Sequence, residues 1–323
     1  MSPATVSKVF NSYSGVSQRT RDKVLREAKE LGYTPNNQAR TLATKKSWSI
    51  SLLFSEDLGS GIAHAHFGRI LQSFVSRVQN LGYDVVFVNN RLGHSYLDHC
   101  RYRGVDGALI AAGPHFTEEI QCVLDSDYTC VSVEEIYPDT YTVICDNYMG
   151  AMQALEHLYF LGHRKIAHLA GPGRNIAGKE RYKAYLEFHE KKGLPVNPKY
   201  VAEADKFVHE AGLLAATELM QRCWDDPPTA IFAAYDELAV ALRTVLLERG
   251  FRIPGDISLI GFDDLPMAEY LGITTIHQDR VAIGTRAADL LVRLIGGEPV
   301  DEQLVTRIPT ALVVRDSCAR IGE

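Results

Sequence analysis

The sequence predicts an α/β protein, with a small, partial all-α headpiece followed by a core of two doubly wound parallel-sheet lobes. Three observations carry that reading. The 323-residue chain is too long for one ordinary small core and allows about two domains with a short appendage. From Trp48 onward, strand-like apolar runs alternate with amphipathic helical stretches, the pattern of repeated βαβ units. Before Trp48 only short helical segments occur, and they concentrate positive charge. Residues 1–47 hold nine Lys/Arg against Asp22, Glu27 and Glu30, a balance of +6, whereas the remainder carries −12. The net charge of −6 therefore conceals a basic head on an acidic body, which attracts phosphate at one end only.

In chain order, PATVSKVF (3–10) reads as a short helix with Ser2 as N-cap and proline at its first position. NSYSGV (11–16) breaks it. Ser17 caps a second helix in which Val24, Leu25, Ala28 and Leu31 share one face, and Gly32 stops it. NNQARTLAT (36–44) is a marginal helix, too brief to persist alone in water. Strands are expected at 49–54, 84–89, 105–112, 129–133, 165–170, 229–234 and 257–262, with helices between them. About 275 residues suffice for two sheets side by side, and open parallel sheets bind ligands at the carboxyl ends of their strands. A cleft between two lobes follows.

Composition narrows the class of protein. With 46% hydrophobic and 23% charged residues and no apolar run approaching the roughly 18 that a span needs, no membrane partner is expected. The amino terminus lacks a basic stretch followed by an apolar one, so a cytoplasmic location is expected. Six scattered cysteines without a C-x-x-C pair read as buried free thiols.

Beyond composition, named segments carry a resemblance. SPATVSKVFN (2–11), VSQRTRDKVLREAKELGYTPN (16–36), NNQARTLA (36–43), VDGALI (105–110), ICDNYMGA (144–151), LGHRKIAHLAGP (161–172), TAIFAAYDELA (229–239), DISLIGFDD (256–264) and TTIHQ (274–278) stand in the order and spacing of one family. On these segments the chain resembles the LacI/GalR (lactose and purine repressor) transcription regulators over nearly its whole length. The resemblance implies a partial helix-turn-helix headpiece over 1–35 and a hinge helix with linker over 36–47. It implies a periplasmic-binding-protein-like core over 48–323, with an N-lobe of about 48–146 and 277–307 and a C-lobe of about 147–276 and 308–323. The family has a further helix ahead of the recognition helix; its absence here is expected to reflect a start codon assigned late.

The resemblance also implies residue roles. Pro3, Ala4 and Lys8 would meet base edges in the major groove, with Lys8 donating to guanine. Ser2, Thr5, Ser7 and Asn11, joined by Ser17 and Thr20, would contact phosphates. In ARTL (39–42), Ala39 belongs to the hinge motif and Leu42 would wedge between base pairs in the minor groove, kinking a palindromic operator bound by a homodimer. In the core, Arg181 matches the arginine that donates to the effector, Asp263 its acidic acceptor and Phe207 the stacking aromatic. His66 and Phe67 align with the first-lobe loop, and Glu134, Tyr235 and Asp236 sit at strand ends. Many sugar-responding members carry asparagine where Tyr235 stands. The effector is expected to be a sugar or sugar derivative, with no cofactor, no metal and no catalytic residue.

Three rival readings meet the same residues. GRNIAGK (173–179) satisfies the phosphate-loop spacing, but Glu180 replaces the magnesium-binding hydroxyl and would repel phosphates. Adjacent Asp263 and Asp264 lack the nucleophile or second acid that an enzyme needs. A solute-binding carrier would share the two lobes; the basic head and missing export signal count against it. The expected function is a DNA-binding repressor whose operator affinity follows a small molecule bound between the lobes.

Overall fold

The computed structural model describes residues 2–10, 15–33, 41, 46–55, 64–88, 95–112, 118–206 and 208–322. In the head, α1 (Pro3–Phe10) begins at Ser2, whose Oγ accepts the Thr5 amide at 3.3 Å, and α2 (Gln18–Glu30) begins at Ser17, whose Oγ accepts the Thr20 amide at 3.3 Å. Both caps satisfy amides that a helix end leaves unpaired. Val9 and Val24 are each buried, and Arg21 donates to the Val9 carbonyl at 3.3 Å. The expected apolar face of α2 is only partly covered: Leu25 and Leu31 are 45% and 79% exposed. An eight-residue α1 is too short to shield more than one turn of its neighbour. The expected helix over 36–44 lies outside the described residues, apart from Thr41.

Among the described residues, the core builds twelve strands. Those of the first sheet are β1 (Ser49–Ser55), β2 (Asp84–Val88), β3 (Gly107–Ala112), β4 (Cys130–Val133), β5 (Tyr141–Cys145) and β11 (Val305–Ile308), ordered β11-β5-β4-β3-β1-β2 and parallel throughout. The second sheet holds β6 (Ile166–Ala170), β7 (Val201–Glu203), β8 (Ala230–Ala233) and β9 (Ser258–Ile260) in the parallel order β7-β6-β8-β9. An antiparallel pair, β10 (Thr275–Gln278) with β12 (Thr310–Val313), lies beside it through a bridge from Ile260 to Thr274. In the first lobe, Ile50, Leu52 and Leu109 face α3 (Ala65–Asn80) and α11 (Arg280–Ile295). Leu53, Ala108 and Ile110 face α4 (Tyr96–Arg103) and α5 (Glu118–Leu124). Both sheet faces are thus buried, which is why these strands read as continuous apolar runs. The second sheet is covered likewise by α6 (Asn147–Phe160) and α7 (Ile176–Lys192) on one face, and by α8 (His209–Arg222) and α9 (Asp236–Glu248) on the other.

The chain passes between lobes after Cys145, after Gln278 and after Ile308. The second and third passages fall slightly beyond the expected 276/277 and 307/308, because β10 runs on to Gln278 and β11 to Ile308. Where the linker enters the first lobe, the Asp106 carboxylate accepts the backbone amides of Ser47 and Trp48 at 2.9 and 2.8 Å, and the Trp48 ring leans on Tyr83 at 5.2 Å. All six cysteines are free thiols, but the expectation that they are buried holds fully only for Cys100, Cys145 and Cys223; Cys130 and Cys318 are half-buried and Cys122 is exposed on α5. Among the described residues, no helix is long and apolar enough to cross a membrane.

Candidate functional site

The polar residues of interest leave the carboxyl ends of strands, where parallel sheets direct loops toward one edge. Glu134 follows β4, Asn147 follows β5, Tyr235 to Glu237 follow β8, Asp263 follows β9, and Gln278 ends β10. Arg181 stands on α7, in the turn after Asn175 caps that helix by accepting the Gly178 amide at 2.6 Å. Glu134, Asp263 and Asp264 hold φ values of +63°, +119° and +56°, which side chains rarely adopt. Strain of this kind persists only where the surroundings enforce it and tends to gather at functional sites.

Arg181 is almost fully buried. Its Nε and Nη2 donate to Asn147 Oδ1 at 3.0 and 2.8 Å, Nη1 donates to the Ala234 carbonyl at 2.5 Å, and the guanidinium lies 3.6 Å above the Phe262 ring. Nη1 also stands 3.6 Å from Asp263 Oδ1. Three of the five N–H donors are thereby used, and the remainder are left at the guanidinium tip beside Asp263. The Asp263 carboxylate accepts a short hydrogen bond from Gln278 Nε2. Burial raises its pKa against the opposing influence of Arg181, His66 and Arg280. Across from it, His66 Nε2 sits 3.3 Å from Glu134 Oε2, with Phe67 packed edge-on against His66 at 5.3 Å. Glu134 Oε1 accepts the Cys145 amide at 3.4 Å, joining this pair to the strand that leads into α6. The structure thus brings His66, Phe67 and Glu134 of the first lobe to the same edge as Arg181 and Asp263 of the second.

Two of the expected site residues have their polar atoms engaged within the protein. Asp236 is fully buried, and both carboxylate oxygens are occupied: Oδ2 by the Leu265 amide and Oδ1 by the Thr275 hydroxyl, each at 2.7 Å. Burial and the nearby Asp263 hold its pKa well above the carboxylate range. It ties β8, β10 and the turn after β9 together rather than reaching a ligand. Tyr235 turns inward, its hydroxyl donating to the Lys206 carbonyl at 2.9 Å and its ring lying against Gly171. Phe207, Asn11, Ala39 and Leu42 lie outside the described residues. Asn147, Phe262, Glu237, Gln278 and Arg280 escaped the sequence reading of the site, although all but Arg280 stand inside segments quoted above. Position at the carboxyl end of a strand was the signal that could have found most of them.

In the head, Lys8 is exposed in the last turn of α1, while Pro3, Ala4 and Ser7 stand on the same helix. The hydroxyls of Ser2 and Thr5 pair at 3.0 Å and those of Ser17 and Thr20 at 2.9 Å, so these groups close the amino ends of both helices. A helix amino end carries unpaired N–H groups and partial positive charge, the surface that a phosphate meets favourably. The phosphate-loop reading fails on structure as well. The Gly173 amide is already taken by Glu203 Oε1 at 2.8 Å, and Glu180 pairs with Arg307.

A helical, basic head on a two-lobed α/β core with a polar edge between the lobes defines a ligand-responsive DNA-binding regulator. Comparison with known proteins agrees at both ends of the chain. Residues 1–36 match the family described as bacterial regulatory proteins, lacI family, and residues 155–318 match the periplasmic binding protein-like domain. The chain is 33% identical to the HTH-type transcriptional regulator CelR of Thermobifida fusca over 330 residues, spanning 97% of this chain and 94% of that protein. A solved CelR–cellobiose complex superposes with a TM-score of 0.74 at 30% identity, over 98% of this chain and 96% of that one. A lac repressor dimer bound to operator and the anti-inducer ONPF gives 0.80 at 27% identity, over 98% and 95%. The chain belongs to the lacI family of bacterial regulatory proteins, and it is a DNA-binding transcription regulator with an effector-binding core.

Proposed function

We propose that this chain is a repressor that binds a palindromic operator as a homodimer and changes its operator affinity when a sugar or sugar derivative occupies the cleft between the lobes. The observation that carries the reading is the Arg181–Asp263 pair facing His66 and Glu134 across the lobes. A sugar hydroxyl both donates and accepts, so a carboxylate next to a guanidinium with spare N–H groups holds it from two sides. Phe67, and Phe207 by family position, would supply the apolar face for the ring. The cellobiose of the CelR complex supports a carbohydrate here. On the DNA side, Lys8 with Pro3 and Ala4 would read bases. Ser2, Thr5, Ser7, Asn11, Ser17 and Thr20 would hold phosphates, and Ala39 with Leu42 would seat the hinge.

The regulator acts by difference: a sugar that bound equally to the operator-competent and operator-incompetent states would regulate nothing. The test is a gel shift of the full chain on palindromic fragments from its own promoter region, at low and high salt, with and without neutral mono- and disaccharides. Binding should weaken steeply with salt, as phosphate neutralisation requires, and one sugar should alter it. Absence of binding to every such fragment at low salt would end the proposal.

A further inference from the structure

Arg280 is the first residue of α11, and Asp279 before it caps that helix by accepting the Ala282 amide at 2.8 Å. Its backbone belongs to the first lobe. The Arg280 carbonyl accepts from the Ser73 hydroxyl of α3 at 3.3 Å, and α11 packs closely along α3 from there. Its side chain ends in the second lobe, where Nη1 and Nη2 donate to the carbonyls of Asp263 and Asp264 at 2.8 and 3.0 Å. Among the described residues, no other first-lobe side chain is hydrogen-bonded to this turn. The turn is strained, with φ of +119° at Asp263 and +56° at Asp264, so it keeps its shape only while its supports do. Those supports divide by lobe. The Asp264 carboxylate is fixed from within the second lobe, by His277 Nδ1 at 2.8 Å and Arg315 Nη2 at 2.6 Å. The two carbonyls are fixed from the first lobe, by Arg280. Between them stands the Asp263 carboxylate, which takes a hydrogen bond from Gln278 and lies 3.6 Å from the Arg181 guanidinium.

We propose that Arg280 is a positioning residue that carries the angle between the lobes to the Asp263 carboxylate, and so makes effector affinity and operator affinity depend on one another. The inference rests on the placing of the effector at Asp263 and Arg181 given above. A guanidinium presents its N–H groups as a rigid planar fork, so both carbonyls have to lie along one edge of it. Hydrogen bonds weaken steeply as length and angle depart from ideal. A change of lobe angle therefore either breaks the fork or drags the strained turn with it, and in both cases the carboxylate shifts against Arg181. By linkage, an effector that needs the carboxylate in place favours the lobe angle at which the fork closes. Charge alone does not do this. An ammonium at the same place would bring the same charge toward Asp263 without the geometry that fixes two carbonyls at once.

The experiment compares the full chain with Arg280→Met, which keeps the stem and removes the donors, and with Arg280→Lys, which keeps the charge and loses the fork. Operator affinity is measured by fluorescence anisotropy on a palindromic fragment of the promoter region, without sugar and at saturating glucose, galactose or cellobiose. Calorimetry gives the sugar affinity of each protein. In the native chain at least one of these sugars should change operator affinity by about tenfold or more. In Arg280→Met that factor should fall below about twofold even at saturation, with Arg280→Lys in between. A native factor in Arg280→Met overturns the proposal even if the sugar binds more weakly, because Arg280 would then only shape the site. A native factor in Arg280→Lys overturns it too, since charge would be the whole contribution. A second measurement needs no sugar: amide hydrogen exchange across residues 261–268 should quicken by about tenfold in Arg280→Met, and unchanged exchange sinks the proposal. If none of the sugars shifts the native chain, the carbohydrate reading falls and the exchange result alone decides on Arg280.

Discussion

At the scale of single residues, burial decides which polar groups brace the cleft and which remain available to a ligand. Asp236 braces it. Replacing Asp236 by alanine strands the Leu265 amide and the Thr275 hydroxyl in a dry environment, which should cost about 3 kcal/mol of stability. A urea melt measures the loss, and a change below about 1 kcal/mol would show that water replaces the carboxylate. His168 gives a pH signature of its own. It is fully buried on β6, stacked on Phe232 and Tyr185, with Nδ1 hydrogen-bonded to the Phe232 carbonyl; burial lowers its pKa from 6.5 to about 4. The unfolded chain therefore binds a proton that the folded chain refuses between those two values. The neutral ring's contribution is complete above pH 6.5 and is lost as pH falls toward 4; its size is about 3 kcal/mol. The slope of stability against pH in that window should drop by about one proton in His168→Gln, and an unchanged slope would place the titration elsewhere.

At the scale of elements, close helix packing reverses an ordinary expectation. Alanine in place of a mid-helix glycine usually stabilises by about 1 kcal/mol. Gly284 of α11, however, lies so near α3 that an added Cβ would stand 2.3 Å from the Ile70 carbonyl oxygen and 2.9 Å from the Phe74 amide nitrogen. Backbone cannot yield as a side chain does, so Gly284→Ala should destabilise by about 2 kcal/mol, read as a lower urea midpoint with the same slope. A higher midpoint would mean that the two helices separate freely. The same scale shows what the sequence made legible. Runs such as SISLLF and TAIFAA announced their strands because both faces of a parallel sheet are buried. Val305–Ile308 and Thr310–Val313 did not, since they are short, partly exposed edge or two-stranded elements with pairing set by tertiary contact. Arg181 and Asp263 were singled out through motif, whereas Asn147 and Gln278, which hydrogen-bond them, offered only the weaker signal of a place at a strand's carboxyl end. Tyr235 and Asp236 show that a strand-end position says which edge a residue reaches, not which way its side chain turns.

At the scale of the whole molecule, the lobes are joined by three chain passages and by side chains that bridge them. Arg280, at the start of a first-lobe helix, donates to the Asp263 and Asp264 carbonyls of the second. Beside the third passage, Arg307 on β11 meets Glu180 on α7 through two parallel hydrogen bonds of 2.8 and 2.6 Å. The pair is partly open, with Arg307 36% and Glu180 14% exposed, so solvent screening takes much of its Coulomb energy, while the two-pronged geometry retains some. We expect a coupling of about 1 kcal/mol between the two side chains in a double-mutant cycle of stability using Glu180→Gln, Arg307→Gln and both together. The coupling should shrink when salt is raised, because the pair remains within reach of counter-ions. Glu180 adjoins Arg181, so the clasp and the buried Arg181 guanidinium ride on the same helical turn. An effector that shifts α7 must work with or against the clasp, and 1 kcal/mol corresponds to about a fivefold change in its affinity. A coupling indistinguishable from zero at low salt would leave the covalent passages and Arg280 to set the lobe angle, and would remove Glu180–Arg307 from any account of how the cleft reports to the head.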